Sequence, residues 1–398
     1  MQALSGIRVL DLTHVIAGPF CTHQLGVQGA EVIKIEDANN PDIMRFDGAD
    51  LRSNKEGMSS VFLAQAANKK SIAIDLKQEP GQQVLKKLIT GADVLVENYR
   101  SGALQKIGLG YDQMKQINAK LIYCSMTGFG QTGPKREHTA YDNVIQAFSG
   151  MMDATGSVES GPMKVGPPVL DYGTGSQAAF AIVSALFRRS QTGLGQYIDI
   201  SMLDSALMLM GNLMMENQVT NEASGRHGNR SANRPGYGCF DTAEGQLMIG
   251  AWTTTQLKDM WLVLDQPARA EAISEEHPME IMDTFTDTVN EIQKVLLTRP
   301  AAEWEDLMNQ QKVPAARVRN VHETLREEQL QSRGVKSAIE GEDSDRYFPC
   351  ASFLHKEDSP TVRSAPPQFA EHTRTILQEV GYNESELESL AACGAIRL

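Results

Sequence analysis

The sequence predicts an α/β protein in which a large domain is built on a doubly wound parallel sheet and a second, smaller domain is α+β. Two observations lead to this prediction. Short β-type runs alternate with helix-type patterns over residues 7–125, which is typical of a parallel sheet covered by helices. The composition then shifts at residues 221–237, where Gly, Asn, Ser and Arg predominate and indicate a loop or linker between two domains.

The predicted sheet of the large domain starts near residue 7. Its strands are expected at residues 7–12, 31–36, 71–75, 94–97 and 121–125, and its first helices at residues 20–28 and 81–90. Ligands of such sheets bind beyond the carboxyl ends of the strands. The segments 13–18, 98–103 and 126–133 follow strands and are therefore the predicted walls of a pocket.

The rest of the chain supplies one more helix of the core and the smaller domain. A Met- and Leu-rich pattern at residues 203–215 predicts a helix buried against the core, and the alternative is a Met surface for a ligand. Further elements are expected at 241–246 (a turn), 247–251 (a strand), 255–264, 281–297 and 301–311 (helices), 314–318 (a returning segment) and 373–379 (a last helix). The predicted bounds are 1–205 and 330–398 for the large domain, 206–235 and 311–334 for linkers, and 236–310 for the small domain.

Composition argues against several classes of function. The 398 residues carry a net charge of −13, which disfavours nucleic acid or an acidic membrane as a partner. The apolar runs are far shorter than the roughly 20 residues that cross a bilayer, and no secretory signal pattern is present. Five scattered cysteines suit a reducing compartment, so we expect a cytoplasmic protein without a disulfide framework or a metal site.

The carboxylate of Asp171 stands directly before a helix-patterned run. The run covers residues 176–189, with Thr174 or Ser176 as its cap, and Gly193 is expected to end it. A carboxylate beside a helix N-terminus faces unpaired N–H groups, which favour its ionised form. An ionised carboxylate can act as a nucleophile or a base. The alternative interpretation of this residue is a simple helix cap.

A glycine-rich loop at residues 128–133 has the spacing of dinucleotide-binding loops and follows a predicted strand. The helix that should open there is missing, because Pro134 follows and the next helical pattern begins only near Tyr141. A nicotinamide-binding oxidoreductase is therefore kept only as an alternative. The glycines still allow the backbone to approach a bulky ligand closely.

A series of short motifs in fixed order runs through the whole chain. They are GIRVLD (6–11), AGP (17–19), GAEVIKIE (29–36), NKKS (68–71), DL (75–76), DVLVEN (93–98), the glycine loop (128–134), GLGQ (193–196) and EHT (371–373). Through these motifs the chain resembles the family III coenzyme A transferases (CaiB/BaiF family), which include formyl-CoA transferases and are related to α-methylacyl-CoA racemases. The resemblance implies a Rossmann-like large domain and a homodimer in which two ring-like subunits interlock.

The resemblance places the family's nucleophilic aspartate at Asp171 and implies transfer of CoA from a donor acyl-CoA to an acceptor carboxylic acid. The implied intermediates are an aspartyl acyl anhydride and an aspartyl-CoA thioester, with CoA or acyl-CoA as substrate and no metal. Both intermediates hydrolyse readily, so a segment that covers the site is expected. The sequence does not identify the acids, for which short mono- or dicarboxylates are expected.

Matching positions also give candidate contacts to CoA. They are Val15, Ile16, Ile74, Asn98, Lys106 and Ile107, with Tyr141 and Asp142 near the acyl end. The alternative for the aliphatic residues is a place in the core, and for the lysine a solvated surface position. Asp37 and Thr139 stand where some formyl-CoA transferases have Arg and Lys, and residues 231–234 replace their glycine run over the site. Arg230 or Arg234 is a candidate to bind the second carboxylate of a dicarboxylic acid.

An α-methylacyl-CoA racemase-like enzyme of the same fold is the alternative activity. Racemases of this group need a His immediately before the Asp of the helix after the glycine loop. This chain has Tyr141 and Asp142 there, and His138 comes three residues too early. Inversion at the α-carbon then lacks one of its two proton carriers, which favours the transferase.

Overall fold

A computed structural model describes residues 1–273, 285–333, 336–337 and 347–398. The strands are β1 (Arg8–Leu12), β2 (Glu31–Glu36), β3 (Lys69–Ile74), β4 (Val94–Glu97), β5 (Ile122–Thr127), β6 (Gly156–Ser157), β7 (Gly161–Pro162), β8 (Gln196–Ser201), β9 (Tyr237–Asp241), β10 (Gln246–Gly250), β11 (Ala315–Arg317), β12 (Lys336–Ser337), β13 (Phe348–Pro349) and β14 (Ile396–Arg397). The helices are α1 (Ala17–Val27), α2 (Leu51–Lys55), α3 (Ser60–Ala66), α4 (Glu79–Ile89), α5 (Ala103–Lys106), α6 (Tyr111–Ile117), α7 (Asp142–Ser149), α8 (Met151–Ala154), α9 (Val169–Thr192), α10 (Met202–Leu209), α11 (Gly211–Thr220), α12 (Thr254–Val263), α13 (Pro267–Ala272), α14 (Phe285–Leu296), α15 (Ala301–Gln310), α16 (Val321–Thr324), α17 (Glu328–Ser332), α18 (Thr373–Glu379) and α19 (Glu384–Ala392), and Ile43–Arg45 form a 3₁₀ turn.

The large sheet has seven strands in the order β14-β3-β2-β1-β4-β5-β8. All neighbouring strands in it are parallel except β14, which is antiparallel to β3. The chain runs outward from β1 to β3 and then places β4 on the other side of β1, so the strand order reverses between β1 and β4. The predicted α/β class with a large, mostly parallel sheet is confirmed. A ligand site is expected at this reversal.

Apolar side chains cover both faces of this sheet. Val9 on β1 lies in register with Val32 and Val94, and all three join a core that includes residues of α1 and α9. The next residue, Leu10, belongs with its partner Ile33 to a second core that α4 completes. This alternation between two buried faces explains why the strands read as continuous apolar runs.

A buried ionic network closes the carboxyl end of β1. Asp11 accepts hydrogen bonds from Lys69 Nζ at 2.9 Å, from Thr22 Oγ1 at 2.7 Å and from the Thr13 backbone N–H at 3.0 Å. Burial raises the pKa of Asp11, but the charges of Lys69 and Lys34 and these hydrogen bonds outweigh burial and lower the pKa to about 2. The ionised carboxylate therefore ties β3 and α1 to the loop that follows β1.

The chain folds into two compact units. The first comprises residues 1–151, 165–222 and 329–398, and the second residues 152–164 and 223–328. In the second unit, α12, α14 and α15 contribute to a core with the antiparallel sheet β11-β10-β9, and this core contains Phe240, Trp261 and Trp304. The predicted returning segment contains β11, which pairs with β10. The domain bounds given above stay a prediction.

One predicted helix is wrong in part, and one is only partly described. The pattern at residues 203–215 is divided by a non-helical turn at Met210 into α10 and α11, and Met208 and Met215 are exposed rather than buried. The start of the helix predicted at 281–297 lies outside the described residues, and α14 accounts for its remainder.

The five cysteines all lie within the described ranges, and none of them forms a disulfide. Among the described residues, no helix combines the length and apolar character that crossing a bilayer requires.

Candidate active site

Asp171 lies inside a helix rather than before one. Helix α9 begins at Val169, so Asp171 is its third residue. The predicted cap is wrong, because Thr174 and Ser176 both lie within the helix and the actual N-cap residue, Pro168, forms no side-chain cap. The backbone N–H groups of this first turn must therefore find their partners elsewhere.

Asp142, the first residue of α7, supplies the missing cap. Its Oδ2 accepts hydrogen bonds from the backbone N–H groups of Leu170 at 2.7 Å and Asp171 at 3.1 Å. Gln146 Nε2 donates to Asp142 Oδ1, and Gln146 Oε1 accepts from the Val165 backbone N–H at 2.8 Å. Because these bonds link α7 to the first turn of α9 and to the segment before it, the start of α9 is fixed against α7.

The environment of Asp171 opposes its ionisation. The residue is 8 % exposed. Burial raises its pKa, the negative charge of Asp142 raises it further, and a hydrogen bond with the Ala17 backbone lowers it, which leaves the pKa at about 7. The expectation that the helix N-terminus favours the ionised form is wrong, since Asp142 already occupies the N–H groups of the first turn. A carboxylate of raised pKa is more basic than an ordinary one, and such shifts are typical of functional sites.

The loop after β1 is held in a strained conformation. Val15 has φ 71°, a left-handed value that is unfavourable for a β-branched residue by about 1–2 kcal/mol. Its N–H donates to Asp42 Oδ1 at 3.2 Å, and its C=O accepts from Gln65 Nε2 at 2.7 Å. Asn98 follows β4, and its side chain forms two hydrogen bonds with the His14 backbone. Asn98 Oδ1 accepts from the His14 N–H at 3.0 Å, and Asn98 Nδ2 donates to the His14 carbonyl at 2.8 Å. Strain that is held by several surrounding bonds is common at functional sites.

A cleft of about 100 Å³ joins this loop to Asp171 at the carboxyl ends of β1, β4 and β5. Its lining residues are His14, Val15, Ala17, Asn98, Met126, Thr127, Gly128, Ala140, Tyr141, Asp171, Thr174 and Met202. The structure thus brings the predicted residues Val15, Asn98 and Tyr141 together with Asp171. All three predicted pocket walls contribute to the cleft.

Thr127 and Thr174 line this cleft, and the Oγ1 atom of each is buried. Neither hydroxyl forms a hydrogen bond within the described part of the chain. Thr174 follows Asp171 by three residues on α9, so both side chains lie on the same side of the helix. A buried hydroxyl without a partner is unfavourable by about 1–3 kcal/mol, and a ligand in the cleft can remove that cost.

Close packing of α9 on α1 requires glycine. A Cβ atom on Gly175 would lie 2.5 Å from the Ala17 carbonyl oxygen, and one on Gly18 would lie 2.3 Å from the Cβ of Thr13. Any side chain at these positions would push the two helices or the preceding loop apart. The glycines therefore allow Asp171 to reach the Ala17 backbone.

The structure places the other predicted CoA contacts outside this cleft. Ile16 precedes α1 and does not line the cleft, and Ile74 is buried in β3 within the core. Ile107 packs against the same core, and Lys106 is exposed at the end of α5. The role of these four residues as contacts to CoA stays a prediction.

A larger cleft of about 540 Å³ lies next to β4, β5 and β8 and includes Lys106. Arg100 and Arg136 also line it, and Arg136 is paired with Glu137 at 3.6 Å, so Lys106 and Arg100 are the candidate partners of an anionic ligand. Glu97 at the end of β4 lines it as well, and burial raises the pKa of Glu97 to about 7 against a hydrogen bond from Ser125. Sequence reasoning missed Glu97, although a carboxylate at the end of an apolar strand was a usable signal.

Two further residues were assigned differently or missed. Asp142 was named only as a neighbour of the acyl end, because its partners on α9 are distant in sequence. His14 lines the cleft of Asp171, and burial lowers its pKa against the charge of Asp42, so the imidazole is neutral at pH 7.

His138 packs edge-on against Phe129 at 5.8 Å between ring centroids and does not line this cleft. Within the described residues, no group of three His, Cys, Asp or Glu side chains could hold a metal ion.

The large sheet is mostly parallel and its strand order reverses, and the cleft at its carboxyl edge contains a carboxylate of raised pKa. This combination is typical of α/β enzymes. The model of CoA-transferase family III matches residues 4–373, and the chain belongs to this family. The predicted family and enzyme class are therefore confirmed.

Relatives with named activities are similar to the chain over nearly its whole length. The succinyl-CoA:glutarate CoA-transferase of Mus musculus is 32 % identical over 100 % of this chain and 91 % of its own length. The succinate–glutarate CoA-transferase of Agrobacterium fabrum is 32 % identical over 95 % of each chain. The crystal structure of a CaiB/BaiF family protein from Brucella suis superposes with a TM-score of 0.83, 28 % identity and coverage of 95 % of this chain and 99 % of that one.

Replacing Asp142 by Asn tests the electrostatic coupling to Asp171. Asn keeps an oxygen that can accept from Leu170 and Asp171, although its amide nitrogen no longer accepts from Gln146 Nε2. The negative charge is removed, so the pKa of Asp171 falls and the acid limb of kcat/KM moves to lower pH. We expect Asp142→Asn to retain a larger fraction of its maximal kcat/KM at pH 6 than the wild type. Asp204→Asn, at the exposed third position of α10, should leave the profile unchanged. An unmoved limb, or one moved to higher pH, contradicts the coupling.

Proposed function

We propose that the chain transfers CoA from a donor acyl-CoA to an acceptor carboxylic acid, with Asp171 as the nucleophile. The observation that carries the proposal is the position of Asp171, which is 8 % exposed and lines a cleft. The loop with His14 and Val15, whose backbone is held by hydrogen bonds, lines the same cleft. The named activities of the relatives support the same reaction. A buried carboxylate of raised pKa is suited to nucleophilic attack once it is ionised.

The proposed reaction conserves the energy of the thioester bond. The Asp171 carboxylate attacks the thioester carbonyl of the donor, which forms a mixed anhydride and releases CoA thiolate. The thiolate attacks the aspartyl carbonyl of the anhydride, which forms an aspartyl-CoA thioester and releases the donor acid as carboxylate. The acceptor carboxylate attacks this thioester to form a second anhydride and thiolate. The thiolate then attacks the acyl carbonyl of the acceptor, which gives the new acyl-CoA and restores Asp171.

Each attack at a carbonyl carbon places negative charge on the carbonyl oxygen, which must be stabilised. Thr127 and Thr174 line the same cleft as Asp171, and their buried hydroxyls have no hydrogen-bond partner among the described residues. We assign Thr174 to this oxygen because it follows the nucleophile by one helical turn. The neutral His14 imidazole adds a further polar group to the cleft.

We assign the reacting end of CoA to the cleft of Asp171 and its phosphates to the larger cleft. Val15, Asn98 and Tyr141 line the first, as proposed contacts to the thioester and pantetheine part. Arg100 and Lys106 line the second, and their cations suit phosphate oxygens. A protein of net charge −13 needs such local cations for an anionic substrate.

We propose short dicarboxylic acids as the substrate class. Both relatives described above have succinate or its CoA thioester and glutarate in their names. Succinyl-CoA as donor and glutarate as acceptor are therefore the first pair to assay, with monocarboxylates such as acetate and butyrate for comparison. Formation of the acceptor's CoA thioester measures the transfer directly.

Replacing Asp171 by Ala should lower the rate of CoA transfer by at least about 10³-fold, because the nucleophile is removed. Mass spectrometry of the wild type after incubation with succinyl-CoA should find the acyl or CoA adduct on the peptide that contains Asp171. Asp204→Ala removes an exposed carboxylate from the same position of a helix and should keep the wild-type rate. An undiminished rate in Asp171→Ala contradicts the proposal.

Replacing Thr174 by Val tests the oxyanion assignment with nearly unchanged volume. We expect kcat to fall by about 10- to 10³-fold while KM changes little, because the hydroxyl is proposed to act in the transition state. Thr192→Val, at the exposed end of α9, is the matched control. If kcat of Thr174→Val equals that of the wild type, Thr174 has no part in catalysis.

We propose that the enzyme is a homodimer, as the resemblance implies. Helix α9 buries Ile182 but exposes Phe180, Val183 and Phe187 on one side, with 71 % of Phe180 and 68 % of Phe187 exposed. Three apolar side chains at i, i+3 and i+7 form a continuous patch, which is typical of a protein–protein interface. The interlocked arrangement of the two copies stays a prediction.

The dimer predicts a mass near twice 43.6 kDa by light scattering on a sizing column. The variant with both Phe180→Glu and Phe187→Glu should lose most of this species, because two charges would be buried in the interface. Leu262→Glu, which changes a single exposed residue of α12, should behave as the wild type. A monomeric wild-type protein, or a double variant of unchanged mass, contradicts the proposal.

A further inference from the structure

Gln65 is a buried polar residue whose presence is not explained by packing alone. It belongs to α3 and is 3 % exposed, and its Nε2 atom donates to the Val15 carbonyl at 2.7 Å. Its Oε1 atom is buried and, among the described residues, has no hydrogen-bond partner. A buried amide with one unsatisfied atom is less favourable than an apolar side chain of the same size. The bond to Val15 is therefore what Gln65 contributes and an apolar residue could not.

Val15 needs such a contact because its backbone is left-handed. A φ of 71° is unfavourable for a β-branched residue, and mainly Gly, Asn and Asp adopt it without strain. The Val15 N–H donates to Asp42 Oδ1 at 3.2 Å, so side chains of two other segments hold both polar backbone atoms of Val15. These two bonds maintain a conformation that the neighbours along the chain do not impose.

The conformation of Val15 determines how helix α1 approaches the cleft. Helix α1 begins at Ala17, two residues after Val15, and its N-cap residue Ile16 forms no side-chain cap. The Ala17 backbone forms a hydrogen bond with Asp171 that lowers the pKa of this carboxyl. Because a bond of this sign favours the ionised carboxylate, its donor is the Ala17 N–H. Val15, Ala17 and Asp171 line the same cleft, so a change at Val15 moves this donor relative to Asp171.

We propose that Gln65 is a positioning residue for the nucleophile: it holds Val15 in the left-handed conformation and thereby keeps the Ala17 N–H within hydrogen-bond reach of Asp171. Gln65 does not line the cleft, so it acts through the backbone and does not touch the substrate. Its importance for CoA transfer rests on the proposed function, whereas its hold on the loop rests on the bond to Val15.

The other titratable groups around Asp171 are not altered by a substitution of Gln65. The groups that face Asp171 are His14, Tyr141 and Tyr172 and, on α7, Asp142. Helices α1 and α10 contribute Ala17 and Met202 to the cleft, and neither side chain titrates. If His14 moved with the loop and became protonated, its positive charge would lower the pKa of Asp171. Only a weaker Ala17 bond shifts this pKa upward.

Replacing Gln65 by Met removes the donor with nearly unchanged volume and leaves no buried charge unpaired. The Ala17 bond lowers the pKa of Asp171, so a weaker bond raises it and moves the acid limb of kcat/KM to higher pH. This direction is opposite to that expected for Asp142→Asn. With succinyl-CoA and glutarate, the loss of kcat/KM in Gln65→Met should be at least about threefold larger at pH 6 than at pH 9. The variant should melt within about 4 °C of the wild type, because an unsatisfied amide oxygen is removed as well.

Hydrogen–deuterium exchange measures the loop without any substrate. The peptide of residues 14–20 should exchange faster in Gln65→Met, because the N–H groups of Val15 and Ala17 lose protection. The control is Gln82→Met, which removes a bond of 3.1 Å from a glutamine to a backbone carbonyl beside α4 and should change neither the exchange nor the pH profile. Adding Val15→Gly to the Gln65→Met protein should move the acid limb back toward the wild-type position, because glycine adopts a positive φ without strain.

Several results would overturn the positioning role. Unchanged exchange of residues 14–20 in Gln65→Met shows that Gln65 does not hold the loop. Faster exchange with an acid limb that stays in place, or that moves to lower pH, shows that Asp171 does not depend on the loop. A limb that Val15→Gly fails to move back shows that the conformation of Val15 is not the link. The Asp171→Ala protein tests the proposed function separately: an undiminished transfer rate refutes the nucleophile, while the exchange in Gln65→Met still decides whether Gln65 holds the loop.

Discussion

The contact between Asp142 and the first turn of α9 governs the chemistry of the cleft. One carboxylate accepts the N–H groups of Leu170 and Asp171 and so completes a helix end whose own N-cap residue supplies no side-chain cap. Burial raises the pKa of Asp171, and the negative charge of the same Asp142 carboxylate raises it further, where the helix alone would have favoured ionisation. The Asp142 contact thus stabilises the helix and adds to the basicity that burial gives the Asp171 side chain.

The opposite wall of the cleft depends on buried charges of the sheet. Lys34 Nζ donates to the Thr13 carbonyl at 2.8 Å and to Asp42 Oδ2 at 3.0 Å, and Asp42 accepts the N–H of the strained Val15. Buried ion pairs contribute little to stability unless all their polar atoms are satisfied, and here loop atoms satisfy them. The network therefore fixes a backbone conformation that an isolated loop would not keep.

Helix α9 connects several properties of the protein. Its first turn holds Asp171, Gly175 permits close packing on α1, and Ile182 fills the core. Its remaining face exposes Phe180 and Phe187, which do not belong to that core. The second unit differs, since two of its arginines, Arg230 and Arg234, lie over the aromatic rings of Phe240 and Trp252.

The sequence by itself determined the properties that depend on local pattern. Strands at residues 31–36 and 94–97 and the helix at 373–379 have the predicted bounds, and ordered motifs identified the family and singled out Asp171. Only the tertiary structure decided that Asp142 caps α9, that the pKa of Asp171 is raised, and that Ile74 lies in the core. Capping by a distant carboxylate and desolvation depend on which groups meet in space, and periodicity along the chain does not encode those meetings.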